Sequence, residues 1–328
     1  MKKKLIALLA ALMLTASVHT AENFFLVADE LDQPRQLAIP ADTPYPHFRA
    51  QPQHRTLCSP SQPNVRIPIT FFDNNSDTIV VLGQSLPASK ESMLGHAYLF
   101  DCDVIMFDYR WHESYKTFLL KALASCRPTQ RILHDEEQEV RTVLNFIRTL
   151  KKYKRVIGLG ECYSTYLFAK VQADETRARR QGPFTHLIFD SPWHSLRSFA
   201  ESICNDPLLP LSPGKGGAPR VLKAVTSCPP VKHIILATTF AFLNDVCIEQ
   251  HLAALTIPVL FIYGKNDLFV PEEHFSQIWG AAPRGLRAAL ITPYCHGENL
   301  NRESEELYRQ VCERFIASSS VAEFLEQS

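Results

Sequence analysis

Along most of this chain, apolar residues come in short unbroken blocks separated by polar or mixed stretches. Seven blocks stand out, at residues 65–72, 78–82, 104–107, 156–159, 186–189, 259–263 and 288–291. Most are apolar at every position instead of alternating, the pattern of strands buried on both faces of a parallel sheet. Helical spacing fills the intervals. In residues 135–150, Val140, Val143, Leu144, Ile147 and Leu150 recur every three or four positions behind an acidic first turn that complements the helix dipole. Strands alternating with helices of this length predict right-handed β-α-β units and a doubly wound, mostly parallel sheet, an α/β fold.

The rhythm lapses twice. Residues 22–63 are rich in Pro, Gln and Asp, and read as an irregular N-terminal extension with one strand near residues 24–27. Residues 195–254 hold Pro210, Pro213, Gly214, Gly216, Gly217, Pro219, Pro229 and Pro230 among helical pieces. That stretch is too long for a simple connection, so an inserted helical or irregular cap is predicted within an α/β domain spanning residues 64–328. The Gly-Lys-Gly-Gly run at residues 214–217 is not a phosphate loop: the upstream glycine, the Ser/Thr after the lysine and the feeding strand are all missing.

The first 21 residues bear on compartment. Lys2, Lys3 and Lys4 precede an apolar run at residues 5–14, and small or polar residues follow to Ala21, the three-part pattern of a secretory signal peptide. The run is shorter than the roughly 20 residues that span a bilayer, and no later segment is long and charge-free enough to do so. A periplasmic or secreted mature protein is expected, with no transmembrane segment after signal removal. The first cysteine is Cys58, so a lipid-modified N-terminus is not indicated.

Composition narrows the partners. Of 328 residues, 46% are hydrophobic and 21% charged, which excludes disorder, collagen or coiled coil as the dominant state. Lys+Arg and Asp+Glu both number 34, so no global field attracts phosphates or anionic lipid, and a nucleic-acid partner is not expected. The chain holds 9 cysteines, an odd number in a compartment that permits disulfides.

The most informative segment is VIGLGECYS at residues 156–164, an apolar strand running into a tight turn from which an amphipathic helix leaves. This is the context of a nucleophile elbow, usually G-x-S-x-G and here G-x-C-x-S, with Gly160 and Ser164 as the small residues that let strand and helix approach. A helix N-terminus stabilises a thiolate at Cys162, and the backbone N–H of Tyr163 can face a developing oxyanion. The bland alternative for Cys162 is a buried structural cysteine or half of a disulfide.

Two later segments favour chemistry. The strand at residues 257–263 ends in a Gly-containing turn presenting Asp267, and the strand at residues 286–291 gives way to a loop presenting His296. Nucleophile, acid, histidine is the chain order of one of the three common triads. His296 would take the thiol proton and return it to the leaving group, while Asp267 would fix the imidazole tautomer. Asp190, at another strand end, is the runner-up acid. His112, His134, His186, His194, His233, His251 and His274 are scattered singly without a C-x-x-C pair or an H-E-x-x-H helix, so no metal and no cofactor is expected.

With these motifs, the chain from about residue 65 to 315 resembles the α/β-hydrolase superfamily, especially its small esterase, lipase and thioesterase branch. The Asp108-Tyr109-Arg110 turn resembles that branch's strand end, and the segment after Phe189 resembles its entry to the cap. The elbow cysteine is similar to that of dienelactone hydrolases and polyhydroxyalkanoate synthases. Ser164 departs from the usual glycine, and Glu161 puts a carboxylate beside the nucleophile, which opposes thiolate formation if it points inward. The segment Leu82-Gly83-Gln84-Ser85 lacks the family's His-Gly pair. If it matches position by position, Gln84 N–H is the second oxyanion donor. The resemblance implies an exported hydrolase of a small-molecule ester or thioester acting through Cys162, Asp267 and His296. An acyltransferase with the same triad, or a catalytically inactive α/β-hydrolase fold serving as a binding or envelope protein, are the alternatives. Taking Cys162 as a free nucleophile leaves eight cysteines, so parity permits up to four bridges. Substrate identity and oligomeric state are not readable from these residues.

Overall fold

The seven apolar blocks are strands β4 (Gln62–Phe72), β5 (Thr78–Gly83), β6 (Asp103–Phe107), β7 (Arg155–Glu161), β8 (His186–Asp190), β9 (Val259–Gly264) and β10 (Arg287–Thr292). They are seen in a computed structural model that describes residues 24–31, 33–37, 50–59, 62–85, 88–110, 129–195, 198, 246–301 and 303–328. The expected signal segment and most of the expected cap insertion lie outside the described residues.

The N-terminal extension is more regular than its composition suggests. It supplies three strands, β1 (Phe24–Ala28), β2 (Arg35–Leu37) and β3 (Gln53–Ser59), which extend both edges of one sheet ordered β2-β1-β10-β9-β8-β7-β5-β6-β4-β3. Only β1 carries the apolar signature, with Phe24 and Leu26 fully buried against the sheet. Among the described residues, strand β3 has a single neighbour, β4, and it exposes His54, Arg55 and Thr56. Polar side chains of this kind belong on a sheet edge and hide the strand from a search for apolar runs.

The six strands β5 to β10 run parallel, whereas β4 lies antiparallel to β6 and β1 antiparallel to β10. Successive side chains of β5 show why the blocks are continuously apolar. Ile79 and Val81 pack with one buried cluster, and Val80 and Leu82 with the cluster on the opposite face. The first face is covered by α2 (Thr129–Leu150), α3 (Tyr163–Arg177) and α5 (Glu272–Ala281), the second by α1 (Leu94–Ala97), α6 (Glu305–Ala317) and α7 (Val321–Gln327). A further short helix, α4 (Glu249–Leu252), lies near the end of the expected insertion. The helical stripe of α2 behaves as its spacing requires: Val140, Val143, Leu144 and Ile147 are all buried. No helix among the described residues is long and apolar enough to cross a membrane.

Strand order fixes where a ligand site forms. The chain steps from β5 outward to β6, then returns past β5 to β7, so the order reverses between β5 and β7. In open α/β sheets the crevice for a ligand opens at this reversal, beyond the carboxyl ends of the strands. Gln84 follows the end of β5 and Cys162 the end of β7, with Gly83 in register with Gly160. Because their strands are parallel, β8, β9 and β10 deliver the loops that follow them to the same end of the sheet.

Candidate active site

Cys162 occupies the turn between β7 and α3 with φ 49° and ψ −102°, a conformation that costs an L-residue on the order of 1–3 kcal/mol. Its surroundings hold it there. The Cys162 N–H donates to the Asp190 carbonyl at 2.8 Å, and the Cys162 carbonyl accepts from the Thr165 N–H at 3.3 Å and the Thr165 hydroxyl at 2.5 Å. A Cβ at Gly160 would stand 2.9 Å from the backbone of Ser164 and Thr165, so strand and helix meet there only over glycine. We expect Gly160→Ala to cost about 3 kcal/mol as an overpacked core change, read as a lower urea midpoint at unchanged m-value. A midpoint equal to wild type would show that the turn has room to relax.

Ser164 stands where G-x-S-x-G ends in glycine, and the structure shows what accommodates it. Ser164 is fully buried; its hydroxyl donates to the Gln84 carbonyl at 2.6 Å and lies 2.9 Å from the Tyr109 hydroxyl. A Cβ at Gly83 would fall 2.6 Å from the Ser164 Cβ, so the glycine missing from the elbow has its counterpart on the neighbouring strand end. Tyr109 thereby links the Asp-Tyr-Arg turn to the elbow.

Asp267 and His296 converge on the same place. Asp267 Oδ1 accepts the Phe269 and Val270 N–H groups, both at 2.9 Å, which leaves Oδ2 to accept from His296 Nδ1 at 2.7 Å. The imidazole also interacts with the Cys162 sulfur. Burial alone would lower the His296 pKa, but the Cys162 sulfur and the hydrogen bond to Asp267 outweigh it and raise the ring well above its ordinary value. The Phe269 ring packs on the imidazole at 5.1 Å between centroids.

Asp190, the other candidate acid, does not meet His296. Its Oδ1 accepts from Asn299 Nδ2 at 2.6 Å and the Ser191 hydroxyl at 2.9 Å, and its Oδ2 accepts from the Tyr308 hydroxyl at 2.9 Å with His96 Nε2 3.7 Å away. Burial would raise Asp190, yet His96 and these donors keep it below the usual carboxylate value. The group is structural: the Ser191 hydroxyl also accepts the Gly297 N–H at 3.1 Å and so anchors the loop that carries His296. Glu161 points towards this network. Its burial raises its pKa, with Asp190 adding to that effect and His96, His296 and Ser85 opposing it. A carboxyl drawn towards its neutral form opposes a neighbouring thiolate less than an ionised one. His96, Asn299 and Tyr308 carry no local motif, and only the strand-end position of Asp190 hinted that something gathers there.

Tyr163 begins α3, where the first-turn N–H groups have no partner within the helix, and its phenol donates to Glu136 on α2. Gln84 is fully buried; its carbonyl is taken by Ser164, while neither heteroatom of its carboxamide has a hydrogen-bond partner. An orphaned buried amide costs about 1–3 kcal/mol, which an incoming polar group would recover. Beside Asp267, Leu268 is 52% exposed, an apolar residue at the rim of the site. The described cysteines Cys58, Cys102, Cys162, Cys247, Cys295 and Cys312 are free thiols, and Cys126, Cys204 and Cys228 lie outside the described residues. Four bridges are therefore not formed.

A mostly parallel sheet with a strained elbow at the order reversal, and with loops after later strands converging on it, is the α/β-hydrolase fold. Solved structures agree. An esterase from Pyrococcus furiosus superposes with a TM-score of 0.57 at 14% identity over 82% of this chain and 91% of its own. A proline iminopeptidase from Mycobacterium smegmatis gives 0.56 at 15% identity over 84% and 100%. An esterase from a Rhodococcus species gives 0.51 at 18% identity over 81% and 98%. No protein-family model and no curated protein sequence matches the chain.

Proposed function

We propose that the protein is an exported hydrolase that cleaves an ester or thioester through a Cys162–His296–Asp267 triad and a covalent acyl-enzyme. The observation that carries this reading is His296, held by Asp267 through Nδ1 at 2.7 Å and interacting with a cysteine on a strained elbow at a helix N-terminus. The Cys162 thiolate attacks the carbonyl carbon, and the resulting oxyanion is met by the N–H of Tyr163 and by Gln84. As the intermediate collapses, the bond to the alcohol or thiol breaks and His296 gives that leaving group its proton. Water, deprotonated by His296, then attacks the thioester; the acid departs and the thiolate returns.

The substrate class follows from the nucleophile and its rim. Attack on a thioester exchanges one sulfur acyl bond for another and is nearly isoenergetic, while an amide would have to expel a poor leaving group. Leu268 and Phe269 favour an apolar acyl group, and the zero net charge matches an uncharged or mixed-charge substrate. Export rests on the signal pattern of residues 1–21, which implies a periplasmic or secreted site of action.

Intact-mass measurement after rapid acid quench tests the reading. With a short acyl thioester and with a p-nitrophenyl ester, the protein gains one acyl mass, mapped to the peptide containing Cys162, and product accumulates with a burst. Acylation followed by transfer to an added alcohol instead of water would make the protein an acyltransferase. Absence of both adduct and turnover would leave a binding protein on a hydrolase fold.

A further inference from the structure

We propose that His194, Cys247 and Glu249 form a zinc site at the neck of the cap insertion. His194 lies just beyond β8, where the chain leaves for the cap, while Cys247 and Glu249 lie where it returns into α4. His194 Nε2 stands 2.9 Å from Glu249 Oε1 and 3.9 Å from Cys247 Sγ, and Cys247 Sγ stands 3.8 Å from Glu249 Oε2. One donor atom from each residue lies within 4.8 Å of the other two.

The arrangement is that of a chelate and not of a second relay. In a catalytic triad, the carboxylate and the nucleophile address opposite nitrogens of the histidine. Here both address Nε2, and one ring nitrogen cannot hand a proton both ways. His194 Nδ1 is buried without a hydrogen bond, so Nε2 is the nitrogen that the ring presents. Zinc bond lengths and tetrahedral angles put neighbouring ligand atoms about 3.3–3.6 Å apart, so the separations of His194 Nε2 from Glu249 Oε1 and from Cys247 Sγ each need an adjustment of only about 0.4 Å, while Cys247 Sγ faces the other oxygen of the same carboxylate. A thiolate, an imidazole and a carboxylate together suit zinc, whereas calcium and magnesium prefer oxygen alone. Water completes four-coordination, and binding releases the Cys247 thiol proton to solvent.

The backbone holds the donors in place. The Ile248 N–H donates to the His194 carbonyl at 3.1 Å, Ser195 and Cys247 form an antiparallel bridge, and the His274 ring stacks on His194 at 5.7 Å. Next to this site Trp193 stacks on Tyr166 of α3 at 5.6 Å, one helical turn beyond Cys162. An ion here would clamp the two ends of the insertion together against the helix that bears the nucleophile. The isolated histidines of the sequence gave no sign of this, because Cys247 and His194 stand 53 positions apart in the chain.

The test uses the full chain, stripped with a chelator and titrated with zinc alone. One zinc per chain is expected by elemental analysis, together with a rise in melting temperature of about 5 °C at a hundredfold excess over Kd. Cobalt in place of zinc should give a thiolate-to-metal charge-transfer band. Metal, band and thermal shift should persist in Cys162→Ala, which separates this site from the nucleophile, and should be lost in Cys247→Ser and His194→Gln. Glu249→Gln, at a half-exposed position, should weaken binding at least tenfold and covers the case in which the other variants do not fold. Failure of the wild-type chain to bind zinc, or binding that survives all three substitutions, overturns the proposal without touching the reading of Cys162.

Discussion

Cys162→Ala is expected to lower ester and thioester turnover by about 10⁴-fold or more, because it removes the covalent route and leaves only binding and the oxyanion donors. Stability should change little, since a small side chain is exchanged at a turn that other contacts hold. In the wild-type chain, iodoacetamide should modify Cys162 ahead of the cysteines whose thiols are held protonated. Burial pushes Cys102 up to about 12, and burial also raises Cys247, Cys295 and Cys312. Peptide mapping decides the matter: an adduct that forms first on any of those four, or turnover at the wild-type rate in Cys162→Ala, removes Cys162 from the chemistry.

Asp267→Asn should lower turnover by about 10³–10⁴-fold through the wrong imidazole tautomer, with the geometry largely kept. It should also change how stability depends on pH. The His296 pKa is raised in the folded protein, so its contribution to stability is complete below the unfolded value of about 6.5 and is lost as pH climbs through the folded value. The stability gap between wild type and Asp267→Asn is therefore widest below about pH 6.5 and narrows as pH rises above it, measurable by urea unfolding across a pH series. A gap that widens with pH would mean that Asp267 does not support a protonated His296.

What could be read from the sequence divides along physical lines. Gly160, Cys162 and Ser164 lie within one strand-turn-helix, and Asp267 and His296 each follow a recognisable apolar strand, so local pattern suffices to single them out as candidates. Contacts such as Ser164 against Gly83, Asp190 with Tyr308 and Asn299, or Cys247 with His194 depend on how distant strands stack, and no window of sequence holds both partners. The doubly wound sheet was legible because its parallel strands must be apolar on both faces. Strand β3 was not, because an edge strand with polar side chains looks like the loops around it.

The pairing of β1 with β10 carries a consequence for how the molecule is made. Phe25 lies opposite Ile291, so one side of the sheet closes only when the first strand meets the last of the ten. Such a contact has nearly the longest sequence separation that the chain allows, and its loop-closure entropy must be met before the pairing rewards it. Completion of the fold is therefore a late event, reached after almost all of the chain has left the ribosome. Until then Phe24 and Leu26 stay without their cover, and the growing chain depends on keeping that segment from pairing elsewhere.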